Sequence, residues 1–65
     1  MNIYEAAKKA LAEGKCMREN SECTVKVKMK VRGVCTLMKL DGSHPVKRWQ
    51  PTAEELIAET WELTE

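Results

Sequence analysis

Apolar and polar residues alternate along this chain with two different periods, which divide it into elements. In residues 2–14, NIYEAAKKALAEG, the apolar positions Ile3, Ala7, Ala10 and Leu11 recur at helical spacing, with Tyr4 beside them. Asn2 followed three residues later by Glu5 fits the reciprocal side-chain caps of a helix start, and Gly14 suits its stop. The stripe consists mostly of small residues, so this helix is expected to pack closely on a sheet. The period then changes to two. In residues 23–32, CTVKVKMKVR, Cys23, Val25, Val27, Met29 and Val31 alternate with Thr24, Lys26, Lys28, Lys30 and Arg32. That pattern predicts a strand with one buried face and one basic face. Gly33 breaks it, and VCTLMKL, residues 34–40, predicts a second strand, paired with the first in a hairpin around Arg32–Gly33.

Shorter signals complete the order. KCMRE at residues 15–19 predicts a strand before the turn-forming Asn20 and Ser21. The turn DGS at residues 41–43 leads to His44–Pro45, where the residue before proline stays extended, and VKRW, residues 46–49, predicts a further strand. QPTAEELIAE carries a second capping pair, Thr52 and Glu55, with acidic residues in the first turn. TWELTE, in which Trp61 and Leu63 alternate with polar neighbours, predicts a closing strand. The order α-β-β-β-β-α-β describes an α+β domain: an N-terminal helix packed on an antiparallel sheet, with a short second helix before a C-terminal strand. Sixty-five residues, 1–65, make one domain.

Length adds a constraint. So short a chain has a small core and usually needs a disulfide, a metal or a partner. Three cysteines, Cys16, Cys23 and Cys35, are an odd number, which argues against a closed disulfide set. With His44 they could supply four soft ligands, but their spacing matches no zinc module, and small strand residues plus a loop histidine is the simpler reading. A homo-oligomer, dimer or tetramer, is therefore expected, with no cofactor and no metal. The start has neither the basic region nor the apolar run of a signal peptide, and no stretch is long enough to span a bilayer. A cytoplasmic protein with reduced thiols is expected.

Charge is segregated although the net value is only +1. Residues 24–49 hold seven Lys or Arg and only Asp41, whereas residues 50–65 hold five Glu and no base. The row Lys26, Lys28, Lys30 and Arg32 would span about 20 Å of one strand face. Such a row can track a nucleic-acid backbone. It equally makes a solvated face or protects an edge strand from mispairing. Near-neutral total charge and the lack of an interleaved aromatic argue against nucleic acid. No nucleophile motif, glycine-rich phosphate loop or paired general base is present, so binding is expected and not catalysis. Trp49 and Trp61 bracket the second helix. Alternation with Leu63 predicts a core role for Trp61. Trp49, between Arg48 and Gln50, is the more open, and offers a stacking face beside the cations Lys47 and Arg48.

Two stretches, IYEAAKKALAEGKCMR at the start and WQPTAEELIAETWEL at the end, with Asp41–Gly42 between them, resemble the small phage proteins of the Thoeris anti-defence 2 type. The chain has Glu19-Asn20-Ser21-Glu22 where that family commonly has a tryptophan, Thr60 in place of its usual aspartate, and a shorter centre. The resemblance implies a non-enzymatic sponge, an oligomeric α+β protein acting in the cytoplasm of an infected bacterial host. It would sequester a cyclic nucleotide immune messenger, a cyclic ADP-ribose isomer or a cyclic oligonucleotide, without cleaving it. By position it implies ligand contacts from Arg18, Trp49 and Trp61. The rival expectation is a small nucleic-acid- or protein-binding regulator that uses the basic strand Lys26–Arg32.

Overall fold

The computed structural model describes residues 1–30 and 32–65. Helix α1, Ile3–Glu13, begins with the expected reciprocal cap: the Asn2 side chain accepts from Glu5 N at 2.8 Å, and Asn2 N donates back to Glu5 Oε1 at 3.3 Å. It ends at Gly14, whose φ of 67° is the left-handed geometry that glycine adopts without a Cβ clash. The strands follow as β1, Cys16–Arg18; β2, Val25–Lys28; β3, Thr36–Lys39; and β4, Val46–Lys47. Helix α2, Ala53–Ile57, repeats the reciprocal cap with Thr52 and Glu55, and β5, Glu62–Thr64, closes the chain. All pairings are antiparallel, in the sheet order β4-β3-β2-β1-β5. This is an α+β fold with the expected order of elements.

Register divides the sheet into two faces. Val46, Leu37, Val27, Met17 and Leu63 are paired in one row across all five strands. Side chains at paired positions share a face, so this row is the core face. Ala6, Met17, Val27 and Trp61 form the buried cluster, with Ile3, Ala7, Leu37, Trp49, Ala58 and Leu63 packed around it. Ala6 and Ala10 are the buried positions of α1, and their single methyl groups let the helix lie close over β1 and β5. The buried stripe is thus shifted from the expected one. Ala6 joins it, and Leu11, expected inside, is exposed.

Every strand is shorter than the periodicity suggested. β2 stops at Lys28 because a turn begins at Lys30, closed by Gly33 N donating to Lys30 O at 3.3 Å, so the link to β3 is longer than a tight hairpin. Val31, the last apolar position expected of that strand, lies outside the described residues. β4 stops at Lys47 because Arg48 takes a positive φ of 63°, which breaks the alternation and turns Trp49 toward the core. Val25, expected inside, is partly exposed because α1 reaches only the β1 and β5 side of the sheet.

The small core leaves much apolar surface uncovered. Ile57 is 78% exposed, Val46 55% and Leu56 51%. The accessible surface is 4688 Å², whereas size scaling gives about 4,200 Å² for a folded chain of this mass. Among the described residues no helix is long and apolar enough to cross a membrane.

Candidate functional site

Trp61 stands immediately before β5 on the core face, 2% exposed. Its indole N–H donates to Glu55 O of α2 at 2.8 Å, which ties the second helix to the sheet. Its backbone N–H donates to Met1 O at 2.9 Å, and the Met1 amino group donates to Trp61 O at 3.1 Å and to Glu59 O at 3.2 Å. A side chain so enclosed has no face left for a ligand. Trp49 meets it edge to face, with ring centroids 5.9 Å apart and planes at 73°. Trp49 is half-buried, and its backbone N–H donates to Cys35 O at 2.9 Å. The two tryptophans therefore clamp the segment between them onto the sheet.

Arg18 lies on the other side. It alternates with Met17, which is on the core face, and its Nε donates to Glu62 Oε1 at 2.7 Å from the neighbouring strand. The pair is part-buried and directly cross-strand, where opposite charges stabilise the pairing of β1 with β5. Within one chain, Arg18 and Trp49 thus stand on opposite faces of the sheet and share no pocket. The cysteines and His44 are not gathered either: among the described residues no three His, Cys, Asp or Glu side chains form a metal-holding group. All three thiols are free.

A cleft that the sequence did not single out lies on the outer surface of α1. It has a volume of about 330 Å³ and is lined by Met1, Tyr4, Glu5, Lys8 and Lys9. The helical spacing of Tyr4 and Lys8 brings the ammonium to 5.2 Å from the ring centroid. Tyr4 is 67% exposed, so its second face and its hydroxyl remain accessible. An aromatic ring, two lysines and one glutamate lining the same cleft are groups that can stack a planar ring and neutralise a phosphate. The available signal was Tyr4 itself, an aromatic flanking the apolar stripe of a helix and followed by a lysine pair.

The basic strand faces away from both helices, as its alternation predicted, but its membership changes. Lys26 and Lys28 lie on β2, whereas Lys30 and Arg32 fall in the turn. Lys47 of β4 joins the same face through its pairing with Thr36. Lys26 Nζ donates to Glu65 O at 2.5 Å. In the turn between β3 and β4, Ser43 donates hydrogen bonds to Asp41 from its side chain and backbone, which with a smaller contribution from the Lys26 charge holds that carboxyl below its ordinary 3.8. These bonds fix the turn between β3 and β4. No protein-family model, curated protein or solved structure matches the chain.

Proposed function

We propose that this protein is a non-catalytic sponge that captures a cyclic nucleotide immune messenger, a cyclic ADP-ribose isomer or a cyclic oligonucleotide, in the cytoplasm of a phage-infected bacterium. The observation that carries this reading is the cleft on α1, where the Tyr4 ring, Lys8 and Lys9 stand together. A ring for a base and cations for phosphate are the minimum that a nucleotide binder needs. The motif resemblance of the two chain ends supplies the ligand class. The cleft is at the small end of ligand sites and open to solvent, whereas such sites usually enclose most of their ligand. A second copy, docked through the uncovered apolar surface, would close it. Arg18 and Trp49 contribute contacts in this reading only from across such an interface, and Trp61 acts through the fold.

Calorimetric titration with cyclic ADP-ribose isomers and cyclic di- and trinucleotides tests the proposal, followed by heat release and chromatography of the ligand. Intact ligand should be recovered. Tyr4→Ala should weaken binding by about 5- to 150-fold, the worth of one stacked base. Recovery of hydrolysed ligand, or no binding to any of the panel, would overturn the sponge. Loss of affinity on Trp49→Ala at unchanged stability, with Tyr4→Ala silent, would move the site to Trp49.

A further inference from the structure

We infer that the surface formed by α2 and the β4 edge docks a second copy of this chain, with α2 of each copy laid on the β4 edge of the other. The argument starts at the core. α1 reaches only the β1 and β5 side of the sheet. On the opposite side Val46 is 55% exposed and Val25 37%. Both occupy core-face positions: Val46 pairs with Leu37, and Val25 stands two residues before Val27. β4 is an edge strand with no neighbour beyond it. α2 is held on its inner side by the bond from Trp61 to Glu55 O and by Ala58 against the core. Ala53, Leu56 and Ile57 are left exposed on it.

Each apolar patch is bordered by charge of one sign. Glu54 and Glu59 are exposed beside Leu56 and Ile57, and residues 50–65 contain no Lys or Arg. Around Val46 the charges are positive. Lys39 is diagonal to it on the core face, Lys47 follows it on the other face of the edge strand, and Arg48 comes next. All three are exposed. The one acid in the neighbouring turn, Asp41, accepts from Ser43 N at 2.8 Å. Among the described residues, the ion pairs within the chain are Lys15–Glu13 and Arg18–Glu62. The acids of α2 and the bases of the β4 edge therefore stay unneutralised in a single copy.

This arrangement selects the occupant. A chain of net charge +1 carries an acidic apolar patch and a basic apolar patch, and a second copy brings the complement of both. A two-fold axis makes the contact twice and closes the pair, since each copy offers one α2 and one β4 edge. Apolar centres with charged rims are the anatomy of protein interfaces. The chain also exposes about 500 Å² more than its mass requires, about what one side of a small interface covers.

The test is sedimentation velocity of the intact protein over a concentration series. No nucleotide enters it, so its outcome is separate from what the cleft on α1 holds. Glu54→Lys/Glu59→Lys sets base against base, and Lys39→Glu/Lys47→Glu sets acid against acid. Each variant alone should raise the Kd of self-association about tenfold or more. An equimolar mixture of the two should associate again, because acid then meets base in both halves of the contact. All four changes in one chain should likewise restore self-association. Circular dichroism and Trp49 fluorescence should confirm that every variant keeps its fold, as substitution at exposed positions predicts. A wild-type monomer at every concentration, variants that self-associate as the wild type does, or a mixture no more associated than its components would each overturn the inference.

Discussion

Trp61 concentrates more of this fold than any other residue, and its replacement by phenylalanine measures how much. The side chain is fully enclosed among Ala6, Met17 and Val27, and its N–H satisfies Glu55 O of α2 at 2.8 Å. Phenylalanine keeps one aromatic ring but loses two ring carbons and the donor. The lost carbons cost about 1.6 kcal/mol at about 0.8 kcal/mol each. The lost hydrogen bond costs about 1 kcal/mol and leaves a part-buried carbonyl without its donor. The sum is about 2.5 kcal/mol. A chain of this length has about 3–10 kcal/mol in all, so the variant should remain folded with its melting temperature lowered by about 10–20 °C. Trp61→Ala, at about 3–5 kcal/mol, should lower the melting temperature further than Trp61→Phe does. The assay is thermal unfolding at one fixed protein concentration, followed by far-ultraviolet circular dichroism and by fluorescence of Trp49. A drop below about 3 °C for Trp61→Phe, less than the hydrogen bond alone is worth, would refute the account. So would a larger loss from Trp49→Phe, because Trp49 is only half-buried.

The remaining predictions test other parts of the structure. Arg48 holds a left-handed backbone at φ 63°, which costs a non-glycine residue about 1–2 kcal/mol. Part of that is returned to the flexible unfolded chain, so Arg48→Gly should raise the urea midpoint by an amount worth about 0.5–1 kcal/mol; a fall would mean that the guanidinium stabilises the fold. Asp41 has its pKa lowered by the Ser43 hydrogen bonds, so its contribution is present above the ordinary carboxylate value and is lost as pH falls through the lowered one. Carboxyl chemical shifts followed by nuclear magnetic resonance should place Asp41 below 3.8, and Ser43→Ala should bring it back up. Light scattering at micromolar concentration should give at least a dimer, and Ile57→Asp, placed at the most exposed large apolar side chain among the described residues, should shift the population toward monomer. A stable wild-type monomer would count against the oligomer.

Local chemistry determined which elements form and in what order. Asn2 with Glu5 and Thr52 with Glu55 fixed both helix starts, Gly14 fixed a stop, and the alternation through Val25, Lys26, Val27 and Lys28 identified a strand with one basic face. These signals are legible because each depends on residues a few positions apart, satisfied by the same backbone geometry in any context. The alternation of Trp61 with Leu63 likewise assigned Trp61 to the core, because period two in a strand sends both side chains to one face. Tertiary structure decided the rest. Strand ends moved because Arg48 and the Lys30–Gly33 turn change the backbone direction, and a hydropathy pattern carries no record of a positive φ. Arg18 and Trp49, which the resemblance names together as ligand contacts, stand on opposite faces of the sheet. Lys47 joined Lys28 through a register that spans three strands, while Lys30 and Arg32, adjacent in sequence, left the row. Tyr4, Lys8 and Lys9 became a cleft only once Met1 was tied to Trp61 at the far end of the chain. Each of these depends on pairing between distant segments, where the free energy that chooses one register over another comes from burying Met17, Val27 and Trp61 together.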